Sequence, residues 1–246
     1  MDMDGGAEDE AGTRDCSSWV PKRTLHTMAF TKLVSVELYA DLVCPWCWIG
    51  DRRLWRALTV VQEAHPHVGF DVVWRPFQLD PSLPPEGRDW EEVIENKFGG
   101  RARAEPMFAR VAEAGAPDGC VFHFDRITRM ANTARAHGLV VHAQQTEGDT
   151  WALVESIYAR HFTEGADLGD ADTLRQLGRA AGFSEADLTQ IVDEGRYDLD
   201  VQQSQREAAR LGIQGVPFAV LDGRYGISGA QPEEVFVQAL TQVVNE

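Results

Sequence analysis

The chain has 246 residues, of which 43% are hydrophobic and 25% charged, with a formal net charge of −16. That length can bury a sizeable core, and so acidic a balance argues against non-specific binding to nucleic acid or anionic membranes, which need a basic face. No run of about 18 apolar residues exists to span a bilayer, and Cys16, Cys44, Cys47 and Cys120 are too few and too irregularly spaced for the disulfide framework of a small secreted fold.

Residues 1–30 are rich in Gly, Asp, Glu, Ser and Thr without apolar periodicity, and are expected to form a disordered or appended tail. The tail lacks the apolar middle of a secretory signal, so the cytoplasm is the expected location. Met28 offers an alternative start, and Cys16 reads as a bystander thiol. From Leu33 a period of two sets in: Val34, Val36, Leu38 and Ala40 point one way, and Ser35, Glu37 and Tyr39 the other, which makes a strand. Leu54, Leu58 and Val61 then recur at helical spacing, predicting a helix from near Pro45 to about Ala64, stopped by His65-Pro66. Phe70, Val72 and Trp74 alternate with Asp71, Val73 and Arg75 in a second strand ending at Pro76. Strand, helix, strand in this order predicts a right-handed βαβ unit with parallel strands.

Gln78 to Trp90 is proline-rich and reads as a connector. Residues 90–211 are helical in character. Trp151, Val154, Tyr158 and Phe162 share one face, Leu174, Leu177 and Ala181 another, and Ser184 with Asp187 resembles a capping box. A last helix is expected over Val201 to Leu211, ended by Gly212. Strand character returns at Phe218–Leu221; Asp222-Gly223 signals a hairpin turn and Tyr225–Ser228 the return strand. Pro232, Glu233 and Glu234 open a closing helix with Phe236, Leu240 and Val243 on one face. The expected organisation is a tail over 1–30, a first α/β part over 31–88, a helical insertion over 89–212 and a second α/β part over 213–246.

The chemistry centres on Cys44-Pro45-Trp46-Cys47, where the first strand gives way to the first helix. A strand ending there delivers a sulfur to a helix N-terminus, whose unpaired N–H groups and dipole favour the thiolate. Pro45 suits the first helical position. Cys44 is therefore expected to be the exposed nucleophile and Cys47, one turn on and more covered, the resolving thiol; Pro45 and Trp46 between them tune the potential. Gly215-Val216-Pro217-Phe218 admits two readings: a proline at the first position of an edge strand, or a cis peptide that turns the Val216 backbone outward to pair with an extended substrate. The distant Cys-x-x-Cys favours the second.

Ala40-Asp41-Leu42-Val43-Cys44-Pro45-Trp46-Cys47-Trp48-Ile49-Gly50, Gly215-Val216-Pro217-Phe218 and Gly229-Ala230-Gln231-Pro232 resemble the DsbA-like thioredoxin-fold oxidoreductases of the FrnE branch. Asn132-Thr133 with Ala136-His137, and His161-Phe162-Thr163-Glu164-Gly165, are similar to that branch's helical domain. The resemblance covers about residues 33 to 244 and implies an α/β thioredoxin fold interrupted by a large all-helical insertion domain, with thiol-disulfide exchange on protein or small-molecule partners and no bound cofactor. Kappa-class glutathione transferases and 2-hydroxychromene-2-carboxylate isomerases share the layout but carry serine at the nucleophile position. A glutathione-dependent isomerase or transferase is thus the competing enzyme reading, and glutathione a candidate redox partner. Two further readings are a zinc site joining Cys120 and His123 to Cys44 and Cys47, and chaperone-like binding by the helical part. Trp48, Trp55, Trp74 and Trp151 read as core or groove aromatics, Trp46 as exposed beside the site, and His137 and His161 as helix residues whose polar tips find partners. The acidic pairs Asp198-Asp200 and Glu91-Glu92 read as solvated faces.

Overall fold

The alternation after Leu33 produces strand β1, Lys32–Ala40, in which Val34, Val36 and Leu38 are buried. The chain is described by a computed structural model over residues 30–246, so the expectations for the tail, Cys16 and Met28 lie outside the described residues. Helix α1, Pro45–Ala64, crosses to β2, Val68–Pro76, which pairs with β1 in parallel from Lys32↔Val68 to Ala40↔Pro76.

Between β2 and the last two strands lies the helical insertion. It begins with β3, Arg88–Asp89, and α2, Trp90–Val93, which widens into a π-turn over Ile94–Phe98. Helix α3, Arg101–Gly115, is followed by β4, Arg129–Met130, whose two-residue antiparallel ladder with β3 is the one strand pairing of the insertion among the described residues. Then come α4, Ala134–Gln145, and α5, Thr150–Tyr158, which runs on as a π-turn over Ala159–Thr163. Helices α6, Ala171–Ala180, α7, Glu185–Leu188, and α8, Asp198–Arg210, complete the insertion. The Ser184–Asp187 capping box opens α7 as the spacing predicts. Helix α8 starts three residues before Val201, because Asp198 and Asp200 occupy its first turn, where the helix dipole favours acidic groups; Asp198 also pairs with Arg135 at 2.8 Å. In α6 the buried position after Leu174 and Leu177 is Gly178 rather than Ala181: Leu188 packs so closely there that a Cβ would lie 2.3 Å from its Cδ2.

Strand β5, Phe218–Leu221, pairs antiparallel with β1, and β6, Tyr225–Ser228, with β5, giving the order β2-β1-β5-β6. The hairpin turns through left-handed Asp222 and Gly223, at φ 52° and 64°, as the Asp-Gly pair predicts. Helix α9, Glu233–Asn245, buries Phe236, Leu240 and Val243. The fold is a thioredoxin fold interrupted by a helical insertion.

Three contacts join the insertion to the sheet. The α5 face places Tyr158 and Phe162 in stacked contact with Trp48 of α1, ring centroids 5.9 and 6.0 Å apart, while Trp151 meets Trp55 and Trp74 edge-on. These rings belong to, or pack against, one hydrophobic cluster that is continuous from the sheet into the insertion. Along the open edge of β2 and just beyond its end, two glutamine side chains stand in for a neighbouring strand. Gln144 accepts from Trp74 N–H at 2.8 Å and donates to its carbonyl at 3.1 Å, and Gln205 does the same for Gln78 at 2.8 and 3.3 Å. Backbone groups that would otherwise template a foreign strand are thereby satisfied. Finally, Ala208 of α8, with Ile213 beyond it, covers Tyr39 and Phe77 in a second small cluster. Tyr39 is therefore buried, although the strand alternation turns it away from the main core.

Candidate active site

The junction of β1 and α1 is a turn in which Cys44 N–H donates to the Asp41 carbonyl at 3.1 Å. Cys44 is the N-cap of α1 and Pro45 its first residue, so the sulfur sits where the helix leaves N–H groups unpaired. Cys47, one turn on, brings the two cysteine side chains to 3.3 Å. Cys44 Sγ also lies 3.7 Å from the Val216 carbonyl, which accepts from it. The structure thus brings together Cys44, Cys47 and Val216, with Pro45 beneath and Trp46 turned outward at 41% exposure.

Two expectations change. Cys44 is not an exposed nucleophile: it is 5% accessible, nearly as covered as Cys47, because the Val216–Pro217 turn lies over it. The Val216 carbonyl, moreover, points inward onto that sulfur rather than outward, so an incoming sulfur has to compete for its place. The Val216–Pro217 peptide bond is cis. Gly215 stands in the open, with nothing within 4 Å of where a Cβ would be.

The turn is held from two sides. Gly229, left-handed at φ 82°, donates its N–H to the Pro217 carbonyl at 2.8 Å. Gly50 allows α1 to approach it, since a Cβ there would lie 2.7 Å from Pro217 Cγ and 3.4 Å from Ala230 Cα. Behind the dithiol, α1 is fixed by three arginines. Arg52 meets Glu155, which also accepts from Trp48 Nε1 at 3.0 Å, and Arg52 donates to the Asp118 carbonyl at 2.6 Å. Arg53 reaches Asp118 Oδ2 at 2.8 Å and the Ala230 carbonyl at 2.8 Å. Arg56 bonds the other Asp118 oxygen and Glu233. One helix is so tied to the insertion and to the C-terminal part at once.

Burial, and after it the neighbouring Cys44, pushes the Cys47 thiol well above the ordinary cysteine range; a backbone hydrogen bond from Asp41 works the other way. Asp51, one turn beyond Cys47 on α1, is also raised well above the usual carboxylate range, first by burial and then by Glu155, with Arg52 opposing, and its Oδ1 has no partner. Burial pushes the Cys120 thiol up to about 12. Cys120 stays a buried free thiol, and among the described residues no three His, Cys, Asp or Glu side chains converge to hold a metal; Cys120 and His123 therefore do not complete a zinc set with the dithiol. His161 Nδ1–H donates to the Ala166 carbonyl, 3.0 Å away, away from the site. His137, by contrast, reaches the site through Asp41 at 3.3 Å. Sequence reasoning singled out neither Asp41, Asp51, Asp118 nor Glu155 as site residues.

The DSBA-like thioredoxin domain family matches residues 35–241. A probable DsbA oxidoreductase from Streptomyces coelicolor is 33% identical, with a TM-score of 0.77 over 87% of this chain and 91% of that one. A 2-hydroxychromene-2-carboxylate isomerase shares the fold at 12% identity, with a TM-score of 0.63 over 86% of this chain and 96% of the other. The uncharacterized Bacillus subtilis protein YwbO is 24% identical over 210 residues, 85% of this chain and 96% of its own length.

Proposed function

The chain belongs to the DSBA-like thioredoxin domain family, and from that premise we propose that it is a thiol-disulfide oxidoreductase in which Cys44 is the nucleophile and Cys47 the resolving thiol. The observation that carries this reading is the 3.3 Å approach of the two cysteines at the start of α1. The Cys44 thiolate attacks one sulfur of a substrate disulfide, forming a mixed disulfide and releasing the other half as a thiolate. Cys47 then loses its proton and attacks Cys44 Sγ; the internal disulfide forms and the second half leaves, so that two electrons pass from the dithiol to the substrate. Run backwards, the same steps oxidise a substrate dithiol. Burial keeps Cys47 protonated until the mixed disulfide has formed, which orders the steps. Val216 and Pro217 align the partner, while Pro45 and the exposed Trp46 border its approach.

The motifs around Cys44 and Pro217 support the FrnE branch. A resolving Cys47 supports exchange over the isomerase or transferase alternative, whose nucleophile is a serine. We place the protein in a reducing compartment, the cytoplasm, with glutathione as redox partner: four irregularly spaced cysteines suit a catalytic pair better than a secreted disulfide framework. The test is insulin-disulfide reduction with a dithiol reductant. Wild type accelerates it and Cys44→Ser does not; full activity in Cys44→Ser rejects the mechanism.

A further inference from the structure

Asp41, the residue that follows β1, is 1% exposed and links the dithiol to the insertion. Its carbonyl accepts from Cys44 N–H at 3.1 Å and from the Tyr158 hydroxyl at 3.3 Å. Its Oδ2 accepts from Leu79 N–H at 2.7 Å, and its Oδ1 faces Nε2 of His137, a fully buried residue of α4, at 3.3 Å. That nitrogen also lies 3.2 Å from the Phe77 carbonyl. Two acceptors at one ring nitrogen place the hydrogen on Nε2, and Nδ1 is buried without a partner. His137 is therefore a donor to Asp41. The segment it grips is pinned on its other side too, because Gln78 bonds Asn132 at 3.1 Å and Gln205 at 2.8 Å.

We propose that His137 and Asp41 are the positioning pair of the dithiol: α4 holds the Asp41 carboxylate as a fixed anion beside Cys44 and Cys47, and this charge biases the pair towards its disulfide form. The inference rests on the thiol-disulfide reading. Reduction of the internal disulfide by two glutathione thiols breaks the Cys44–Cys47 bond, delivers two electrons and two protons to the protein sulfurs and releases one glutathione disulfide. Any thiolate left in the reduced pair then feels the charge of Asp41, whose backbone is bonded to Cys44, and like charge disfavours it. The charge acts on Cys47 in the same direction as burial and Cys44, while the backbone hydrogen bond from Asp41 opposes them.

The experiment is the equilibrium constant of the Cys44–Cys47 pair in glutathione redox buffers. Asp41→Asn keeps an acceptor for Leu79 but removes the charge, and shifts the equilibrium towards the dithiol by about tenfold, the size expected of one charge in a buried site. His137→Met removes the donor that fixes one carboxylate oxygen, so the charge is no longer held in place, and shifts it the same way. His137→Gln, whose amide N–H reaches the place of Nε2, returns it to near the wild-type value. The double variant Asp41→Asn with His137→Met moves no further than Asp41→Asn alone, because His137 acts through Asp41. A folded Asp41→Asn with the wild-type constant overturns the proposal, as does His137→Gln shifted as far as His137→Met; should Asp41→Asn not fold, the two His137 variants decide. If the wild-type pair does not exchange with glutathione or dithiothreitol at all, the oxidoreductase reading itself fails.

Discussion

Cys44 and Cys120 are covered to nearly the same degree, 5% and 3% exposed, and both lie against α1, yet their surroundings differ in kind. Cys44 caps the helix start, has a second thiol 3.3 Å away and faces a single backbone carbonyl. Cys120 lies among Glu155, Asp118 and Asp51, and burial carries its thiol up to about 12 even though Arg52 opposes the shift. Burial alone disarms a thiol. On the proposed mechanism a covered thiol becomes useful only when a helix terminus, a partner sulfur and a displaceable neighbour come together.

The largest effect that can break this contrast is loss of a sulfur. Cys44→Ser abolishes disulfide exchange, whereas Cys120→Ser leaves the rate within about twofold, since burying a hydroxyl in place of that thiol costs stability and not the exchange step; an assay on both variants would collapse the contrast if Cys120→Ser were the inactive one. Next is the packing that both regions share. Trp48→Ala removes the ring held between Tyr158 and Phe162 and costs about 3–5 kcal/mol in urea unfolding. Asp118→Ala acts on the arginines that tie α1 to the loop bearing Cys120. It takes the shared carboxylate from Arg53 and Arg56 and is expected to cost about 2–3 kcal/mol, less than a fully buried pair because Arg53 keeps the Ala230 carbonyl and the partly exposed Arg56 keeps Glu233. The loosened loop then lets maleimide label Cys120 in the native protein, which quantitative mass spectrometry would detect.

The effect that is smallest at neutral pH is in the alkaline limb of stability. The folded-state Cys120 thiol titrates near 12 against 9.0 for an ordinary cysteine. Above pH 9 the unfolded chain loses this proton first, so the stability that the neutral thiol contributes is whole below pH 9 and is lost as the pH rises towards 12. Cys120→Ala therefore flattens the decline of stability over that window, by up to about 1.4 kcal/mol per pH unit at its steepest, while an unchanged slope would place the thiol in a far wetter setting than the one seen.

Much of this was legible in the chain itself, for local reasons. Val34, Val36 and Leu38 announce β1 by alternation, Pro45 marks the first position of α1, and Asp222-Gly223 turns the hairpin. Each depends on residues within a few positions of one another. The features that escaped depend on distant pairings with no periodic trace. Val216 is expected beside the dithiol, but the turn of its carbonyl onto a sulfur 172 residues before it is not; His137 reaches Asp41 across 96, and Gln205 holds Gln78, just beyond β2, across 127. Tyr39 alternates as a solvent-facing residue and is nonetheless buried, because Ala208 and Ile213 supply a cover that β1 cannot foretell. Asp118 is an unremarkable acid in sequence and a three-arginine anchor in space.

Which sulfur takes the substrate is the central question, and trapping answers it most directly. Cys47→Ser protein treated with glutathione disulfide and digested without reduction should carry a single glutathione adduct, on Cys44, with Cys120 unmodified. An adduct on Cys120 in place of Cys44, or none on Cys44 under conditions that oxidise the wild-type dithiol, would contradict the account.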